Sequence, residues 1–320
     1  MLHIILYAIV PIFAVMALGY FSGKKGAFSG TDARVLNKVV LNYALPAELF
    51  VSIIKANRHM LAVDAKLTAI AFTVILACFF LVYFVFKAYR GNTSADAAIS
   101  ALISGSPTIG FLGFAVLGPI FGSSPAVGLV IAIVAIEVNA IGIPVGLCLL
   151  NSANASKSTE KRPNPWQPVV DALKQPVAWA PILAVVMVLC GMKWPSELDP
   201  SFTFLSGANA SLACFAAGIT LSSVKVVLNR QVFMGSFLKL IIMPLAVLVV
   251  GLVFGMQPAN LRMLVMAAAL PPAMSGIIIA SRYNTYVATG TSSLAVSTLL
   301  FMATCPLWIW VTDWAIKAFG

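Results

Sequence analysis

The sequence predicts an all-α polytopic membrane protein: ten transmembrane helices in a 5+5 inverted repeat, with two broken helices, spans 4 and 9, crossing each other. Three observations lead there. The 320-residue chain is 61% hydrophobic and 9% charged, with a mean hydropathy of +0.99, far from the composition of soluble domains. Its apolar residues gather into roughly ten stretches, and a bilayer crossing takes about 20 residues. A polar segment divides those stretches evenly, and prolines interrupt one stretch at a matching place in each half.

The stretches run near 3–21, 33–54, 67–87, 95–121, 126–151, 177–194, 202–222, 231–254, 261–281 and 288–315. They leave only short loops and no room for a soluble domain. The first is read as a span, not a cleavable signal peptide: no basic region precedes it, and no small-residue cleavage site precedes Lys24. Cys78, Cys148, Cys190, Cys214 and Cys305 lie in or beside apolar stretches without a CxxC pair. With only His3 and His59 besides, no metal or other cofactor is expected.

The net charge of +10 lies mostly in loops. Alternate loops hold about twelve and about six Lys and Arg residues, and the richer set marks the cytoplasmic side. Both termini then face the periplasm. The basic excess is thereby accounted for as topology, and no nucleic-acid partner is expected; the partners are the lipid bilayer and a small solute.

The segment "NSANASKSTEKRPNPWQP" (151–168) is rich in Ser, Asn, Pro and Lys and reads as a linker. The expected domains are a first five-helix repeat at 1–152, a cytoplasmic linker at 153–168 and a second repeat at 169–320. An odd number of spans on each side inverts the second repeat relative to the first. Span 4 contains "ISGSPTIGFLG" (103–113) and span 9 "AALPPAMSGII" (268–278). Pro107 in one, and Pro271 and Pro272 in the other, lack amide hydrogens and cannot continue a helix. Each break exposes a half-helix C-terminus with free carbonyls and a half-helix N-terminus with free amides. The amide ends suit an anion. The expected substrate-binding residues are Ser106, Pro107, Thr108, Ile109 and Gly110 in span 4, and Pro271, Pro272, Ala273, Met274, Ser275 and Gly276 in span 9. Gly110 and Gly276 are expected to leave room for a carboxylate to approach the backbone.

Charged groups inside spans are costly, about 2.5–3.5 kcal/mol at a helix centre. Lys239 in span 8 either attracts a substrate carboxylate or neutralises the carbonyl ends of the broken helices. Glu137 in span 5, with Asn139 beside it, is a candidate for carrying a coupling proton; a standing ion pair with Lys239 is the other reading. Asn42, Pro46 and Glu48 in span 2, and Asn209 in span 7, are candidates on the opposite side of the site. For Glu48 the alternatives are a gate, a dimer contact and exposure to a water-filled cavity.

Four segments carry a family resemblance. "AALPPAMSGIIIASRYN" (268–284) resembles the ninth helix of the auxin efflux carrier family, and "SPTIGFLGFAV" (106–116) its fourth. "LNKVVLNYALPAELF" (36–50) and "LACFAAGITLS" (212–222) resemble the second and seventh. Thr108 stands where the family usually has asparagine, and Ala115 where a second proline is common. Within the family the chain is most similar to the bacterial malonate carriers. The resemblance implies a scaffold of spans 1, 2, 6 and 7 and a transport domain of spans 3–5 and 8–10. It also implies elevator-type exchange, a homodimer through the scaffold, and a place in the bacterial cytoplasmic (inner) membrane.

A secondary transporter of a small organic (di)carboxylate, malonate first, fits all of this; the possible coupling ion is H+ or Na+. An enzyme is not expected, since no HExxH or Gly-x-Ser-x-Gly constellation is present. A channel would call for rings of pore-lining groups. A sodium-coupled organic anion symporter of the bile-acid type, and export of an organic acid, are the alternatives within the carrier class.

Overall fold

The computed structural model describes residues 10–55, 65–122, 124–155, 174–192, 194–223 and 226–319. The expected start of span 1 and most of the expected linker lie outside the described residues. Every described regular element is helical. Five helices are long and apolar enough to cross a membrane: Lys66–Ala88, Pro125–Ala153, Asp199–Ser222, Arg230–Val253 and Val287–Phe319. Val10–Lys24, Ser94–Ser104, Ile109–Phe121 and Trp179–Cys190 are shorter apolar helices. The protein is an all-α polytopic membrane protein.

Helix starts follow from local chemistry. Ser29 caps Gly30–Val39 and Thr93 caps Ser94–Ser104, each in a reciprocal capping box with an acid three residues on, Asp32 and Asp96. At the exposed Ser29 box, the Ser29 amide and then its hydroxyl hold the Asp32 carboxyl below the usual carboxylate range.

Prolines inside the helices have a recurrent solution. Val40–Ala44, Glu137–Gly142 and Leu238–Ile242 are π-helical turns, and each ends two residues before a proline: Pro46, Pro144 and Pro244. A proline ring clashes with the carbonyl one turn back, and a widened turn moves that carbonyl away. The widening is visible where the amide of Leu45 bonds to Val40 and that of Met243 to Leu238. Pro244 also deprives the Leu240 carbonyl of its helical donor, and the Trp308 indole donates to that carbonyl at 2.7 Å.

The chain forms two compact units. The first holds the described residues within Met1–Thr68, Ile109–Ile136 and Gln175–Val224. In it, Val10–Lys24 packs along Asn209–Ser222, and Pro176–Cys190 along Leu45–Ile54. The second holds the described residues within Ala69–Thr108, Glu137–Lys174 and Lys225–Gly320. Its centre is Ser94–Ser104, buried on all sides from Ala97 onward, packed against Ile143–Ala155 and Met274–Arg282.

Candidate functional site

The candidate site lies in the second unit, where two interrupted helices meet. In a helix each carbonyl accepts from the amide four residues on, so every proline leaves one carbonyl without its donor. Pro107 strips Ile103; Pro271 and Pro272 strip Ala267 and Ala268. Both helices stop where this arithmetic says. Ser94–Ser104 ends before Pro107, and Pro258–Ala269 ends at Leu270, whose extended ψ of 151° is what a following proline imposes.

The broken ends satisfy each other. Pro107 and Pro272 face one another in a short antiparallel bridge. The Ala273 amide donates to Ile103 O at 3.1 Å and to Ser106 O at 3.0 Å. The Thr108 amide donates to Pro271 O at 2.9 Å. So the carbonyl orphaned by Pro107 is met by an amide of the other helix, and the bond is returned two residues away.

The Ala268 carbonyl, orphaned by Pro272, is met differently. Lys239, fully buried, donates to Ala268 O at 2.6 Å and to the Met243 thioether sulfur at 3.0 Å. Its position in the π-helical turn Leu238–Ile242 follows from Pro244. Glu137, also buried and also in a π-helical turn, has a carboxylate oxygen with no hydrogen-bond partner. Among the described residues the ion pairs are Lys55–Asp199 and Arg262–Asp313. Lys239 and Glu137 are therefore not in direct contact, although each lies in the other's electrostatic reach, as does Cys78. Asn139 is buried in the same turn as Glu137.

These bonds revise the expected donor set. The amides of Thr108 and Ala273 are spent on the crossing, and that of Gly276 bonds back to Ala273 O at 3.3 Å. Among the described residues, the amides of Met274 and Ser275, at the start of Met274–Arg282, have no carbonyl acceptor. The buried Thr108 hydroxyl has no partner either. Gly276 also differs from expectation. A Cβ on Gly276 would stand 2.7 Å from the Leu102 carbonyl carbon and oxygen and from Ile103 Cγ1. The space beside Gly276 is filled by another backbone, so this glycine serves helix contact. Ile109 and Gly110 open the half-helix that belongs to the first unit, where a Gly110 Cβ would meet Leu45 Cδ2 at 2.8 Å.

The other expected residues are in the first unit. Glu48 accepts from the Asn209 amide at 2.6 Å, and the Asn209 carbonyl oxygen is buried without a partner. Glu48 also lines a cavity of about 260 Å³ with Ser52, Lys55, Phe114, Ser124 and Thr203. Pro46 is buried and Asn42 is exposed.

Comparison with known proteins places this architecture. The family described as membrane transport protein matches residues 4–309. The chain belongs to that family, the auxin efflux carriers of the sequence resemblance. The uncharacterized transporter YfdV of Escherichia coli (strain K12) is 52% identical, with 95% of this chain and 96% of that protein aligned. The uncharacterized transporter MJ1031 of Methanocaldococcus jannaschii is 24% identical over 95% of this chain and 97% of its own length. A Rhizobium meliloti (strain 1021) protein whose name proposes malonate transport is also 24% identical, with 92% of each chain covered. The protein is thus a multi-pass bacterial membrane transporter, embedded in lipid, and not an enzyme.

Within this transporter, sequence reasoning missed four participants: Ile103, Ala268, Met243 and Trp308. The two carbonyls were readable, because each lies four residues before a proline. The donors that meet them, Ala273 and Lys239, are among the expected residues, but the pairing joins distant segments and no local pattern points to it.

Proposed function

We propose that this transporter is a secondary active carrier of a small organic carboxylate, malonate first, with the anion held at the crossing in the second unit. The observation that carries the reading is the imbalance left after the two breaks pair. The bonded carbonyls face amides and Lys239, while the Met274 and Ser275 amides and the hydroxyls of Ser106, Thr108 and Ser275 keep donors to offer. Half-helix N-termini pointing at anionic groups are a recurrent device of secondary transporters. The name carried by the Rhizobium meliloti relative supports malonate as the first ligand to try.

The accompanying architecture is a 5+5 inverted repeat of ten spans, with spans 1, 2, 6 and 7 as scaffold and homodimer contact. Spans 3–5 and 8–10 move in elevator-type alternating access. Both termini face the periplasm across the inner membrane. Bringing a dianion into a negative cytoplasm opposes the field by about 4.6 kcal/mol at 100 mV. Uptake then needs at least two cations, or entry as the monoanion with one, and Glu137 with Asn139 is the proton-carrying candidate. Thermal shift and calorimetric titration of purified protein with malonate, other dicarboxylates and monocarboxylates test the substrate. Saturable binding of a small carboxylate, weakened roughly 10- to 150-fold by Ser106→Ala or Thr108→Ala, is expected. Thr108→Asn should retain binding with altered selectivity. Absence of binding by every carboxylate refutes the reading; outward-only flux in vesicles would turn it into export.

A further inference from the structure

The double proline creates a need that the rest of the crossing does not meet. Two successive carbonyls, Ala267 and Ala268, lose their helical donors at once, at the buried C-terminal end of Pro258–Ala269. The dipole there is negative. In transporters with broken helices, such ends commonly coordinate a sodium ion. Here the Lys239 ammonium is already at that end, fully buried and 2.6 Å from Ala268 O.

Three features mark the ammonium as belonging to the carbonyl end. Its bonded partners are a carbonyl and the Met243 thioether, two neutral acceptors. It forms no ion pair with Glu137, a buried acid in its electrostatic reach. And the π-helical turn that holds it is enforced by Pro244, with Leu240 O secured by Trp308, so the stem of Lys239 starts from a fixed turn.

We infer that Lys239 is a resident cation of the crossing: its ammonium fills, permanently and covalently tethered, the carbonyl end that a coupling sodium ion would otherwise occupy, so this end of the transporter takes no sodium. The inference rests on the carrier reading only for the word coupling; the occupancy itself stands without it. The consequence is specific. Shortening the side chain opens a small cation site where none existed, and a neutral chain of similar length closes it without replacing the charge.

The experiment is thermal unfolding of purified protein in detergent, at one ionic strength, without any organic anion. The wild type is expected to unfold at the same temperature in sodium, potassium and choline chloride. Lys239→Ala should lose roughly 3–12 °C and regain part of that loss in ethylammonium chloride, but not in tetramethylammonium chloride. Lys239→Met should show the loss with no recovery, and Lys239→Arg should stay close to the wild type. A saturable, sodium-specific stabilisation of the wild type overturns the inference. So does a Lys239→Met protein as stable as the wild type, or a Lys239→Ala protein that responds alike to both amines. If Lys239→Ala does not fold, Lys239→Arg and Lys239→Met decide: equal loss in both overturns the proposal, loss in Met alone supports it. Because no carboxylate is present, failure here leaves the substrate proposal intact, and failure of carboxylate binding leaves this result intact.

Discussion

Gly276 offers the sharpest test of how the crossing is held together. An added Cβ would lie 2.7 Å from Leu102 C and O, whereas ordinary contact begins near 3.4 Å. Main-chain atoms must therefore move by about 0.7 Å, and they belong to the turn just before Ile103, whose carbonyl accepts the Ala273 amide. Gly276→Ala gains about 0.5–1 kcal/mol of helix propensity, against an overpacking cost of about 1–3 kcal/mol. The net expectation is destabilisation by about 1–2 kcal/mol. Gly142→Ala is the matched control in the same unit, because its Cβ would meet Glu137 O at 3.6 Å and Ser106 Oγ at 3.7 Å, both ordinary contacts. It should be neutral, or more stable by up to about 1 kcal/mol. Thermal unfolding followed by fluorescence-detected size exclusion gives both values in one series. Gly276→Ala as stable as Gly142→Ala would refute the close backbone contact, and with it this account of the glycine.

Further expectations follow from the same geometry. Trp308→Phe should cost about 1–3 kcal/mol by leaving Leu240 O unmet; in a Pro244→Ala background, where residue 244 regains an amide, the cost should shrink, as a double-mutant cycle on unfolding temperature would record. Glu48→Ala should destabilise by about 1–3 kcal/mol because it leaves buried Asn209 without its bond, and Glu48→Gln, which still accepts from Asn209, should lose less; equal losses would contradict the role of that bond. Thr93→Ala should cost about 1 kcal/mol through the lost cap of Ser94–Ser104, read by the same unfolding assay. Lys55→Ala should change stability by less than about 1 kcal/mol, since the Lys55–Asp199 pair is substantially exposed, and that difference should vanish in high salt.

The positions of the breaks were legible because proline acts locally. Its missing amide and its ring fix where a helix stops, and counting back four residues names Ile103, Ala267 and Ala268 as the carbonyls at risk. What meets them is legible only in part: a lysine inside span 8 reads as a cation for the carbonyl ends, but which carbonyl it reaches does not. Ala273, Lys239 and Trp308 reach their acceptors across separations in sequence that periodicity does not encode. The same holds for Gly276. A small residue beside a break permits either a ligand or another backbone, and only the packing of Met274–Arg282 on Ser94–Ser104 decides between them at Gly276. The amides of Thr108 and Ala273 count as free donors in the sequence even with the two breaks expected to cross, because nothing local says that antiparallel breaks supply one another.

That mutual supply has an electrostatic result. Had the breaks paired evenly, carbonyl and amide ends would cancel and the crossing would carry no net preference for charge. They do not pair evenly. Ile103, Ser106 and Pro271 carbonyls take backbone amides, and Ala268 takes a full positive charge from Lys239. On the other side, the amides of Met274 and Ser275 meet no carbonyl among the described residues, and the partial positive charge of that helix start stands unanswered. At Ile103 and Ala268 the fold thus spends orphaned acceptors internally, and at Met274 and Ser275 it keeps donors in reserve, which in a low-dielectric setting favours an anion over a cation or a neutral solute. A substitution that removes the positive charge from the carbonyl end, such as Lys239→Met, should accordingly weaken carboxylate binding even though Lys239 need never touch the ligand; unchanged affinity in a folded Lys239→Met protein would show that the amides alone set the preference.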